Sequence, residues 1–208
     1  MNQVSRKSAA AEPLQSLPQL NLQASREEFL AYFDNSWALT EMLFSALAGE
    51  EAYFVRPYHK LRHPMIFYYG HPAVLYVNKL RLAKLLEGPV NEAYELLFET
   101  GVDEMRWDQL YEQEDVWPTV AQVRDYRTQV YDMVRNIIQT TPLLAEGHVP
   151  VTQESPLWAL VMAFEHERIH LETSSVLMRE LPVQYLRTPE AWPQSITLHG
   201  VVPKVPVR

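Results

Sequence analysis

His166 and His170 stand four residues apart in the segment His166-Glu167-Arg168-Ile169-His170. On an α-helix that spacing puts two side chains one turn apart and only about 40° apart around the axis. Two imidazoles so placed can reach one cation. The same stripe holds Ala159, Met162, Ala163, Thr173, Ser174 and Leu177. Most of these are small or apolar, so the stripe reads as an inward face with room beside the rings. Neutral imidazoles in an apolar bundle need partners for their ring nitrogens, and a metal ion is one. The plain alternative is an exposed pair that binds nothing, and a third ligand has to decide between the two.

Letter for letter the segment is also H-E-x-x-H, in which two histidines hold zinc and the glutamate is a general base. That reading needs a third ligand downstream. No G-x-x-H extension follows, and Glu180 and Glu190 are the plausible carboxylates beyond it. Strand signals for seating a peptide are also poor. A mononuclear site with the third ligand upstream is the better expectation, and His71 is the candidate. It follows Gly70, which permits close approach of another element, and apolar residues flank it. His63, just before Pro64, reads as leading into a helix, and His59 beside Lys60 as solvated. His148 and His199 read as surface loop residues. Glu172 shares a stripe with Glu165 and points away from the histidines, as a surface or supporting carboxylate. Glu167 lies nearer, and two readings stay open for it: orienting a ring or a bound water, or a solvated charge. Asp103, Glu104 and Trp107 are weaker candidates for substrate contact, in a segment that reads as a surface loop.

Helices must carry these residues. Ser25 and Glu28 form a capping-box pattern, and Phe29, Leu30, Phe33, Trp37, Leu43 and Leu47 keep helical spacing over 26–48, ended by Gly49. After a connector over 51–63, Pro64 opens a second helix through His71, Leu75, Leu80 and Leu85 to Gly88. Pro72 inside it predicts a kink or a restart. A short helix is expected over 91–100. Pro118 precedes a third long helix that stops before Pro142, and Ser155 with Pro156 starts a fourth running to Leu181. The expected organisation is a mobile arm over 1–21, an all-α four-helix bundle over 22–181, and a Pro-rich extension over 182–208.

Composition narrows the function classes. The chain has 208 residues and is 47% hydrophobic, enough for one domain with a sizeable core. Its formal charge of -8 and lack of a basic cluster argue against nucleic acid as a partner. The absence of cysteine removes thiolate ligands, disulfides and a cysteine nucleophile. Neither a signal peptide nor an apolar membrane span is apparent, so a cytoplasmic setting is expected.

The strings YFxxPxHxLRHPxIFYYGH, VNKL, GVDEM and FEHERIHLETSSVLMRELP carry a resemblance. A G-H step on one helix and H-x3-H on another resemble the DinB-like metal-binding bundle. More narrowly, residues 25–193 resemble the N-terminal domain of the 5-histidylcysteine sulfoxide synthases of ovothiol biosynthesis, and more distantly the ergothioneine-type enzymes. That resemblance implies Fe(2+) held by His71, His166 and His170, with open positions for a cysteine thiolate, a histidine imidazole and O2. The histidines themselves would also take Zn(2+) or Ni(2+), as in a stand-alone DinB-like thiol transferase. In the sulfoxide synthases a sulfatase-modifying-factor-like domain follows the bundle and completes the active site. This chain reaches Arg208 about where that domain would begin, so the resemblance implies that the chain alone is catalytically incomplete.

Overall fold

The structure is a computed structural model that describes residues 18–58, 62–99 and 117–190. Five α-helices follow in order: α1 (Arg26–Phe44), α2 (Met65–Leu82), α3 (Glu92–Glu99), α4 (Val120–Thr140) and α5 (Trp158–Met178). Among the described residues the extended pairing is limited to one isolated antiparallel bridge, Leu47 with Leu186. The chain is all-α. α1 packs against α4 and α5, and α2 packs against the same two, so the four long helices form a bundle with α1 diagonal to α2. The short α3 lies on α2.

The capping box at Ser25 is present: Ser25 Oγ accepts from Glu28 N at 3.3 Å, and Glu28 Oε2 from Ser25 N at 2.8 Å. A second box, Thr119 with Gln122, starts α4. α1 ends at Phe44 rather than at 48. The reason is tertiary, because Ala48 N donates to Tyr185 O at 2.8 Å and Arg187 N donates to Ala46 O at 2.8 Å. Residues 46–48 leave the helix to pair with 185–187, so the first residues of the Pro-rich extension are tied to the bundle rather than strung out from it. Glu50–Phe54, expected within the connector, forms a 3-10 turn. α2 stops at Leu82, short of Gly88. Lys84 takes φ 61°, Leu85 N reaches Leu80 O at 2.9 Å and Lys84 N reaches Arg81 O at 3.0 Å. This is a Schellman closure, made here by a lysine in the left-handed region instead of a glycine.

Pro72 neither ends nor restarts α2, which runs unbroken from Met65 to Leu82. Proline leaves the Tyr68 carbonyl without its helical donor, but α2 is enclosed by α3, α4 and α5. Packing holds the helix, and Arg127 Nη1 from α4 donates to the neighbouring Tyr69 carbonyl at 2.8 Å.

The bundle centre is aromatic, with Phe33, Trp37, Tyr76, Tyr131 and Phe164 in mutual ring contact. Within it sits a polar knot drawn from all four long helices. Glu167 of α5 accepts from Tyr76 Oη at 2.7 Å and Thr40 Oγ1 at 3.0 Å, and Arg127 Nη2 lies 3.9 Å away. Arg127 Nε also pairs with Glu41 at 2.8 Å, and its guanidinium covers the Trp37 and Tyr69 rings at 4.2 and 4.6 Å. Buried polar groups that satisfy one another only in a single arrangement fix helix register. This knot sets α2 against α5, the two helices that carry the candidate site.

Candidate metal centre

His71, His166 and His170 converge. Ring centroids lie 5.0 Å apart for His71 and His166, 4.5 Å for His71 and His170, and 4.3 Å for His166 and His170. One ring nitrogen from each lies within 4.8 Å of the others. Metal–imidazole bonds of about 2.0–2.1 Å bring cis nitrogens to roughly 3 Å of one another, so small side-chain rotations close the set on one ion.

The surrounding residues support that use. His71 Nδ1 is 2.6 Å from the Phe98 carbonyl oxygen. A carbonyl only accepts, so Nδ1 carries the hydrogen and Nε2 keeps its lone pair. That is how a ligating histidine is oriented and its tautomer fixed. Gly70 makes the contact possible: a Cβ on it would lie 2.7–2.9 Å from three atoms of the Phe98 ring. The close approach expected at Gly70 is therefore the docking of α3. On α5, the Nδ1 atoms of His166 and His170 are buried without a hydrogen-bond partner, and so is Ser174 Oγ one turn further on. Orphaned buried polar atoms are uncommon in folded proteins, and here three lie within about two turns of one helix.

The electrostatics keep the pair neutral. Burial pushes the His166 imidazole down to about 4, helped by the charges of His71 and Lys79. Burial pushes His170 down to about 3, with His71 and His166 adding to the effect. Neutral imidazole is the form that can ligate a cation, and burial favours that form for His166 and His170.

The other titratable candidates fall elsewhere. Glu167 takes neither role left open for it in the sequence. It is 1% exposed and faces the polar knot, where burial pushes its carboxyl up against the opposing effect of Arg127, Tyr76 and Thr40. Held there, it is no base for a zinc-protease reaction beside the histidines. Glu172 is exposed, as expected, and Glu165, also exposed, accepts from Tyr32 OH at 2.5 Å. His63 stacks on Phe67 at 4.2 Å, just before Pro64, the N-cap of α2. His148 is half-buried rather than a surface residue, bonded to the Ala24 carbonyl at 2.9 Å. His59, His199, Asp103, Glu104 and Trp107 lie outside the described residues. The sequence reading missed Phe98, whose contribution is a backbone carbonyl, and Arg127, whose partners come from other helices.

The sequence profile of the DinB superfamily matches residues 32–174, well over half of the chain, from within α1 to near the end of α5. The chain belongs to the DinB superfamily. The match contains all three converging histidines, the Gly70–Phe98 contact and the polar knot. No curated protein matches the sequence. As a DinB-superfamily bundle the chain carries its histidines on α2 and α5, which pack directly together.

Proposed function

We propose that this DinB-superfamily chain is the iron-binding domain of a sulfoxide synthase that joins the sulfur of cysteine to the imidazole of histidine, using O2. The observation that carries the proposal is the convergence of His71, His166 and His170 within sequence strings that resemble those enzymes along most of the chain. In the net reaction a thiol hydrogen and an imidazole C–H are lost, a C–S bond forms, and sulfur gains one oxygen atom. The second oxygen leaves as water, so the four electrons taken by O2 come from C–S bond formation and sulfur oxygenation. Bound ferrous iron would supply thiolate coordination and electrons for O2. The chain's own residues hold the cation with neutral imidazoles, orient His71 through Phe98 and keep water from the inner side of the site.

The rim of the site supports the need for a second domain. Met162, Ile169 and Val176, seven residues apart along the α5 edge beside His166, are 44%, 57% and 52% exposed. A row of exposed apolar side chains at a site's mouth suits a covering surface. The sulfatase-modifying-factor-like domain expected from the resemblance, on the same or a separate chain, is the proposed cover.

Anaerobic reconstitution with ferrous iron, followed by cysteine, histidine and O2, tests the proposal. Sulfoxide product is expected once the complementary domain is added, and none from this chain alone. Turnover by the chain alone would refute its incompleteness. Preference for zinc or nickel, with thiol transfer to an electrophile, would favour a stand-alone thiol transferase instead.

A further inference from the structure

A separate polar cavity of about 250 Å³ is bordered by the end of α1, the Glu50–Phe54 turn, Tyr69 of α2, Arg124 of α4 and Arg187 of the Pro-rich extension. None of the three histidines lines it. Tyr69 precedes His71 by two residues, about 200° around α2. The cavity and the metal centre therefore use opposite faces of that helix.

Tyr53 and Tyr69 form an aromatic wall, edge to face at 5.4 Å. Both of their hydroxyl hydrogens are committed. Tyr69 Oη donates to Glu41 Oε2 at 2.9 Å, and Tyr53 Oη donates to the Phe44 carbonyl at 3.3 Å. The Arg124 guanidinium lies beside both hydroxyls, which offer it lone pairs but no charge. Arg187 is exposed yet held at two points: its backbone N–H donates to Ala46 O and its Nε to Ser45 O, both at 2.8 Å. A guanidinium anchored through Nε keeps its terminal nitrogens for an oxyanion. Among the described residues neither arginine has a carboxylate within 4.0 Å. Of the two carboxylates bordering the cavity, Glu41 is answered by Arg127 Nε at 2.8 Å, and Glu50 is exposed on its turn. Two arginines against Glu50 leave a local positive excess, in a chain whose formal charge is -8.

We propose that Arg124 and Arg187 hold a small oxyanion, a carboxylate or a phosphate, between them. The anion ties α4 to the extension where residues 185–187 pair with 46–48, and so fastens that pairing. This site is independent of the metal centre and of the reaction proposed there.

The test titrates the full, isotope-labelled chain with inorganic phosphate and, separately, with succinate, at constant ionic strength. The arginine Nε–H signals are followed by NMR. Saturable shifts at Arg124 and Arg187 are expected with at least one probe, and the probe that binds tells phosphate from carboxylate. Arg124→Gln and Arg187→Gln should each weaken binding about tenfold, the value of one charge-assisted hydrogen bond, while Arg179→Gln should not. Both cavity arginines are exposed, so neither substitution disturbs the core. At ten times the Kd, exchange of the Ala48 and Arg187 amides, which bond across the pairing, should slow about tenfold. No saturable shift with either probe overturns the inference, as does binding that survives both substitutions unchanged. Binding that leaves the two amides exchanging at the same rate overturns the fastening of the extension.

Discussion

His71 Nδ1 donates a 2.6 Å hydrogen bond to the carbonyl oxygen of Phe98, the last turn of α3 thereby setting the tautomer of a histidine on α2. The bond depends on Gly70, because only a residue without a Cβ lets the Phe98 ring lie against α2 at that point.

Gly70→Ala is accordingly expected to do more than lose helix-interior flexibility. The new methyl must displace a fully buried ring, an overpacking that costs about 1–3 kcal/mol. Moving Phe98 also moves its carbonyl, so metal affinity should fall about 10–100-fold, as for the loss of an orienting partner. Denaturant titration and metal titration of the same variant measure both. Gly70→Ala combined with Phe98→Leu should recover part of the stability, since the smaller side chain can yield. Unchanged metal affinity in Gly70→Ala would show that the Phe98 contact does not matter to the site.

Glu167 is predicted to be structural. Glu167→Ala removes the acceptor for Tyr76 and Thr40 and one counter-charge of Arg127. Breaking a buried pair costs about 3–5 kcal/mol, and the low end is expected because Glu41 still faces Arg127. Glu167→Gln keeps the shape and should bind metal with unaltered stoichiometry. Loss of metal from a folded Glu167→Gln protein would return this residue to the site.

How far the sequence disclosed this arrangement depends on the range of each interaction. The Ser25–Glu28 box, the helical stripes and the histidine pair are local patterns, and each was legible from spacing. Gly70 announced a close approach but not its partner, since Phe98 lies 28 residues on and contributes only backbone. Glu167 could not be placed because a helical wheel sets it between the histidine face and the core, and the deciding Arg127 belongs to another helix. That Pro72 does not restart the helix has the same origin: its local penalty is real, but three packed neighbours outweigh it. The early end of α1 was set by pairing with residues beyond 180, which no local pattern near 45 records.

The depressed histidines give a pH signature for the metal-free protein. His166 and His170 titrate near 4 and near 3 in the fold, against an ordinary value near 6.5 in the unfolded chain. Between those limits the unfolded state binds more protons, so stability rises with pH and is lost as pH falls below about 6.5. The slope is at most about 1.4 kcal/mol per pH unit for each histidine. Urea midpoints at pH 7.5, 6 and 5 should therefore fall, and His166→Gln with His170→Gln together should flatten that fall. A pH dependence unchanged by the double substitution would mean that the two histidines are not buried neutral in the apo fold.

Three histidines from two helices are predicted to hold one metal ion. Anaerobic titration of the chain with ferrous iron should end at about one equivalent, and His71→Ala should abolish that stoichiometric uptake while His63→Ala, altering the neighbour stacked on Phe67, should leave it intact. Stoichiometric iron in folded His71→Ala at unchanged affinity would contradict the three-histidine centre.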